Sequence, residues 1–198
     1  MILPRENPFR SACISNASYH FPDDLSCDSL LARLRALGNR GALVGPEGSG
    51  KTTLLEHLAS KLKELGRRPV LLGLSCRSDP IPALPANRDF LLLDSAERFG
   101  FWEWRRFKWQ TRTIGGLIIT SHRPGLLPTL FECRTSPELF ANIVHDLLRR
   151  SLLAQPSPPD LSELFAAHGG NIRNALRELY DRFACLSPVT ERHSCFQH

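Results

Sequence analysis

The eight residues Gly45-Pro46-Glu47-Gly48-Ser49-Gly50-Lys51-Thr52 constrain the fold more than any other stretch of the chain. They fit the pattern Gly-x-x-x-x-Gly-Lys-Thr without a mismatch. A short apolar run, Ala42-Leu43-Val44, leads into them and reads as a strand. After them, Leu54, Leu55, Leu58, Leu62 and Leu65 recur as the buried stripe of a helix over about Gly50 to Leu65, which Gly66 stops.

The chemistry of the loop follows from its residue types. Glycines accept left-handed turns and let the backbone approach a ligand closely. The loop N–H groups then point inward at an anion, reinforced by a helix N-terminus. Lys51 sets a positive charge against the β- and γ-phosphates of a nucleotide, and Thr52 offers its hydroxyl to Mg²⁺. Gly45, Pro46, Glu47, Gly48, Ser49, Gly50, Lys51, Thr52 and the adjacent Thr53 are therefore the expected nucleotide-binding residues, with ATP as ligand and GTP as the alternative. Glu47 adds a negative charge inside the loop, which is harmless if it points outward.

The rest of the chain supplies further short apolar runs. Pro69 to Leu74 reads as a second buried strand, Phe90-Leu91-Leu92-Leu93-Asp94 as a third, Gly116 to Thr120 as a fourth and Thr129 to Arg134 as a fifth. The runs up to Thr120 are apolar almost throughout rather than alternating, which suggests a parallel sheet covered on both faces. Asp28 can cap a helix through about Leu37. Residues 96–110 read as one aromatic helix. Ser136-Pro137-Glu138 starts a helix through about Arg150, a hydroxyl cap followed by proline at the first helical position. Residues 75–89 form a proline-rich connection, and Pro156-Ser157-Pro158-Pro159 reads as a linker to a small helical segment. The expected organisation is an N-terminal segment at 1–25, a nucleotide-binding core at 26–155, a helical lid at 156–186 and a tail at 187–198.

Asp94 ends an apolar strand, the position from which a carboxylate reaches the Mg²⁺ shell at the C-terminal edge of a parallel sheet. Thr52 and Asp94 are thus the expected metal residues. Hydrolysis is less directly encoded, because Ser95 follows Asp94 where many ATPases carry a glutamate. Glu97, three residues past Asp94, is the candidate to orient or deprotonate the attacking water, with Glu103 a weaker one. Lys51, Asp94, Glu97 and Ser121 form the candidate catalytic set. The run Leu117-Ile118-Ile119-Thr120-Ser121-His122-Arg123 ends in polar groups, and Thr120, Ser121 and His122 can each hydrogen-bond a γ-phosphate or the attacking water. In Gly169-Gly170-Asn171-Ile172-Arg173, Asn171 can begin a helix whose first turn carries Arg173. A cation there opposes the helix dipole, so a compensating anion is plausible.

All three tryptophans fall in Phe101-Trp102-Glu103-Trp104-Arg105-Arg106-Phe107-Lys108-Trp109. Aromatic rings interleaved with arginine and lysine suit nucleic acid, and equally a protein partner. Trp102, Trp104, Arg105, Arg106, Lys108 and Trp109 are the candidate partner residues. The formal charge of +5 is compatible with a polyanionic partner and also with an ordinary solvated surface. No apolar run is long enough for a membrane helix, and Met1 to Arg10 lacks the apolar stretch of a secretory signal. The six cysteines include no Cys-x-x-Cys pair. Scattered thiols in a chain of this kind point to a reducing, cytoplasmic location.

Taken together, the loop, Asp94, Thr120/Ser121 and Gly170-Asn171-Ile172-Arg173 resemble the AAA+ superfamily, within the additional-strand, catalytic-glutamate class of P-loop ATPases. Asn7-Pro8-Phe9-Arg10 resembles the segment flanking the adenine in origin-recognition-like and transposition-helper members. The resemblance implies an α/β three-layer sandwich with a parallel sheet of about five strands, in which the strand ending in Thr120 separates the strand before the glycine loop from the one ending in Asp94, and a small C-terminal helical lid. It also implies ATP and Mg²⁺ as ligands, Thr120/Ser121 as first sensor and Arg173 as the lid's contribution to the site. Ser95 departs from the class, and the lid is short. No arginine finger can be assigned among Arg105, Arg106, Arg112, Arg123 and Arg134, which puts a hydrolysing homo-oligomeric ring in doubt. Three functions remain open from sequence: an ATPase acting on a partner, a nucleotide-binding switch with little hydrolysis, and a small-molecule kinase.

Overall fold

The computed structural model describes residues 7–10, 25–74, 89–150 and 160–185. The proline-rich connection at 75–88, the linker at 156–159 and the tail after 187 lie outside the described residues. The chain divides into two compact units, one spanning Ser18–Ser136, the other combining Met1–Ala17 with Pro137–His198.

The first unit holds β1 (Arg40–Val44), β2 (Pro69–Gly73), β3 (Phe90–Asp94), β4 (Gly116–Ser121) and β5 (Thr129–Glu132). They form one sheet in the order β2-β3-β4-β1-β5, every neighbouring pair parallel. Strand alternation builds two cores from the same strands. Leu43, Leu92 and Ile118 face helices α1 (Cys27–Ala36) and α2 (Lys51–Glu64), meeting Leu30, Leu34, Leu54, Leu55 and Leu58. Their neighbours Ala42, Val44, Leu91, Leu93, Leu117 and Ile119 face the opposite way, toward Trp104 and Phe107 of α3 (Phe101–Gln110). Burial on both faces explains why these strands carry no polar alternation.

Three local expectations are corrected. The cap of α1 is Ser26, not Asp28: Ser26 Oγ accepts the Ser29 N–H at 3.1 Å and Ser29 Oγ accepts the Ser26 N–H at 3.0 Å. β2 is an edge strand and only partly buried, with Leu71 44% exposed, because it has a single neighbour. Residues 96–110 are not one helix. A 3₁₀ turn at Ala96–Arg98 precedes α3, and Gly100 separates them, its N–H donating to Glu103 Oε2 at 2.6 Å. The Glu103 carboxylate is committed to that cap.

The second unit contains α4 (Pro137–Arg149), α5 (Leu161–Ala167) and α6 (Ile172–Cys185). Phe140, Val144, Leu147 and Leu148 of α4 pack with Leu164, Leu176 and Leu179. α4 therefore packs with the helices that follow it, and the second unit takes up the chain again at Pro137. The apolar stripe of α4 is what the short α5 and the longer α6 need to close a core. The N-terminal stretch joins the same unit. Phe9 is buried against Phe183, ring centroids 4.9 Å apart, and the Asn7 side-chain amide donates to the Tyr180 carbonyl at 2.9 Å. Asn171 caps α6 as its sequence suggests, accepting the Asn174 N–H at 3.1 Å.

Candidate functional site

β1 ends at Val44 and the loop begins at Gly45, whose N–H donates to the Ser121 carbonyl at 3.2 Å. That bond ties the loop's start to the end of the central strand β4. A Cβ on Gly45 would sit 2.4 Å from the Cys133 carbonyl oxygen, so no larger residue fits there. Gly48 and Gly50 hold φ of 75° and 82°, the left-handed conformation that carries the loop round into α2. Ser49 is buried and its hydroxyl donates to the Pro46 carbonyl at 2.8 Å. Glu47 is exposed, so its charge is solvated at the loop's outer rim.

Lys51 opens α2 and is only 8% exposed. Its ammonium donates to the carbonyl oxygens of Gly45 at 2.7 Å and Pro46 at 2.6 Å, which holds the charge within the loop's curve. Thr52, in the first turn, donates its hydroxyl to the Asp94 carboxylate, at 3.1 Å to Oδ2. The Asp94 carboxylate also accepts from Thr120, whose hydroxyl lies 2.6 Å from Oδ1. Thr120 in turn accepts the Ser95 N–H at 2.7 Å. The ends of β3 and β4 and the head of α2 are thus joined through one carboxylate. Asp94 does not cap the following turn, because its oxygens are committed to Thr52 and Thr120.

These donors fit Mg²⁺. The ion takes oxygen ligands, keeps several waters and is commonly held by one or two carboxylates with substrate phosphates. Thr52 Oγ1 and the Asp94 carboxylate supply oxygens side by side. No group of three or more His, Cys, Asp or Glu side chains converges among the described residues, so the donor set is not that of a transition-metal centre.

The remaining expected residues are placed as follows. Thr120 holds both Asp94 and the Ser95 backbone through its hydroxyl. Ser121 is buried, and its hydroxyl donates to the Arg123 carbonyl at 2.9 Å, closing the turn after β4. His122 Nε2 lies 3.3 Å from Glu97 Oε1. That pairing has no signal in the sequence, because it depends on β3 and β4 being neighbours. Arg173 is exposed in the first turn of α6, within the helical unit.

On α3 the aromatic residues divide. Trp104 and Phe107 are core, so Trp104 is removed from the expected partner surface. Phe101, Trp102 and Trp109 are 67%, 77% and 64% exposed. The Arg105 guanidinium lies over the Phe101 ring at 5.7 Å and that of Arg112 over the Trp109 ring at 5.1 Å. Arg106 and Lys108 are exposed beside them.

The parallel sheet order, the glycine loop leading into α2 and the carboxylate at the end of β3 define the α/β fold of AAA+ P-loop domains. Several solved structures share it. Cdc6p from Pyrobaculum aerophilum superposes with a TM-score of 0.57 at 18% identity, over 84% of this chain and 64% of that one. DnaA from Aquifex aeolicus bound to AMPPCP gives a TM-score of 0.57 at 15% identity, over 92% of this chain and 65% of that one. A DnaA bound to AMPPCP and single-stranded DNA gives 0.54 at 16% identity, over 89% and 64%. The chain thus spans just under two thirds of the length of these three neighbours. No protein-family model matches the chain, and no curated protein matches its sequence.

Proposed function

We propose that the chain is an ATP-binding, Mg²⁺-dependent ATPase that couples its nucleotide state to a nucleic-acid partner. The observation that carries this is the cluster at the head of α2, where the buried Lys51 ammonium sits within the glycine loop and Thr52 and Thr120 converge on Asp94. The ammonium and the loop amides bind the triphosphate, and Thr52 with Asp94 holds the ion, which neutralises phosphate charge when bound. Two neighbours of the same fold are bound to the ATP analogue AMPPCP.

The partner surface is the outward face of α3. Four cations, Arg105, Arg106, Lys108 and Arg112, surround three exposed aromatic rings, and the one acid in this stretch, Glu103, is used in the cap. Such a face suits phosphate contact and base stacking. A nucleotide-binding switch is the second possibility, favoured by Ser95 at the position after Asp94.

The test is titration calorimetry with ATP and Mg²⁺ on wild type and Lys51→Ala, followed by phosphate release with and without single-stranded oligonucleotide. Loss of the lysine is expected to weaken ATP binding by roughly ten- to a hundredfold, the worth of charge-assisted hydrogen bonds to phosphate. Equal heats from the two proteins would overturn nucleotide binding at this loop. Binding without phosphate release would select the switch.

A further inference from the structure

The geometry points to Glu97 and His122 as a pair that replaces the glutamate absent at position 95: Glu97 is the water-orienting carboxylate and His122 the residue that positions it. This rests on the ATPase function proposed above.

Ser95 is one of two non-glycine residues with positive φ among the described residues, at 64°. A left-handed serine carries a local cost, and its N–H is held by Thr120. The strained turn takes the chain out of β3 into the 3₁₀ turn at Ala96–Arg98. Glu97 on that turn meets His122, the residue just past the end of the adjacent strand β4, with Oε1 3.3 Å from the imidazole Nε2. Both residues lie at the C-terminal edge of the sheet, beyond the strand ends that hold Asp94 and Thr120. The other oxygen, Glu97 Oε2, is buried and has no hydrogen-bond partner among the described residues. A buried carboxylate oxygen without a donor is costly, and a bound water supplies the missing donor. Serine at 95 cannot act as a base near neutral pH. Of the acids near the end of β3, Asp94 is occupied by Thr52 and Thr120, and Glu103 by the Gly100 cap. Glu97 is left with an oxygen to offer.

In the step itself, the water oxygen bonds to the γ-phosphorus as the bond from that phosphorus to the β,γ-bridging oxygen breaks. The bridging electron pair leaves with ADP. The water's proton passes to the Glu97 carboxylate and from there to solvent. His122 touches none of the reacting atoms. It holds Oε1 so that Oε2 faces the water.

The test compares wild type, Glu97→Gln, His122→Ala and His122→Gln, measuring ATP binding by calorimetry and turnover by phosphate release. All four proteins are expected to bind Mg²⁺-ATP within about twofold, which also reports that each is folded. Glu97→Gln is expected to lose roughly a hundredfold or more in kcat, the usual contribution of a general base. His122→Ala is expected to lose about tenfold in kcat with KM unchanged. His122→Gln, whose amide N–H can reach the same oxygen, restores turnover to within about threefold of wild type. A wild-type protein that binds ATP without turning it over, full turnover by Glu97→Gln, or equal rates for the two His122 variants would each overturn the pair. Absence of ATP binding by folded wild type would instead remove the nucleotide site, and the pair with it.

Discussion

Asp94 is the residue on which the site turns. A carboxylate at a strand end must be held, or it samples orientations that do not serve a metal ion. Thr120 does that holding. Its hydroxyl gives its proton to Asp94 and takes the Ser95 N–H, so one side chain satisfies a carboxylate and a left-handed backbone at once. Thr120→Val keeps the shape and removes both bonds. It is expected to destabilise the first unit by about 1–3 kcal/mol, the cost of leaving partly buried polar groups unpaired. Denaturant unfolding measures this, and ATP turnover is expected to fall alongside. The importance of Thr120 was visible in the sequence as a polar residue ending an apolar strand. Its partners were not, because they come from β3, more than twenty residues away.

At the scale of the element, α3 shows how a helix can serve two surroundings. Trp104 and Phe107 face the sheet, while Phe101, Trp102 and Trp109 face outward among four cations. The two groups predict opposite outcomes. Trp104→Ala removes a core ring and is expected to cost about 3–5 kcal/mol of stability, seen as an earlier unfolding midpoint. The double variant Trp102→Ala, Trp109→Ala is expected to leave stability within about 0.5 kcal/mol of wild type. Its affinity for a single-stranded oligonucleotide at low salt is expected to drop by roughly tenfold or more, through lost stacking. Unchanged oligonucleotide affinity, with wild type binding, would move the partner site off α3. The sequence showed an aromatic, basic run but not its phase, and the break at Gly100 starts α3 anew, with Trp104 and Phe107 inside. Without that break, a helix running from residue 96 would point the same side chains elsewhere.

Across the whole molecule, the helical unit has its own electrostatic support. Glu178 on α6 accepts hydrogen bonds from His168, at 2.6 Å, and from Arg182, and these hold its carboxyl below the usual value of 4.5, the His168 bond contributing most. A lowered folded-state pKa means the stabilisation is complete above the unfolded value and is lost as pH falls through the folded one. Glu178→Gln is therefore expected to melt earlier than wild type at neutral pH. The difference should close as the solution is acidified below about 4.5, the range in which Glu178 itself becomes protonated. Thermal unfolding from pH 7 to pH 3 measures it, and a gap that persists in acid would show that Glu178 acts by packing rather than charge. Among the described residues, no helix is long and apolar enough to cross a membrane.

What the sequence determined by itself is whatever contiguous residues can express. The glycine loop, its lysine and threonine, the apolar strands and the carboxylate at the end of one of them all follow from side-chain type and short-range spacing. The tertiary structure alone decided the meeting of Glu97 with His122, the burial of Trp104 and the union of α4 with the C-terminal helices. Each of those depends on which distant surfaces bury one another, and that choice is made by the free energy of the assembled core rather than by any local preference of the chain.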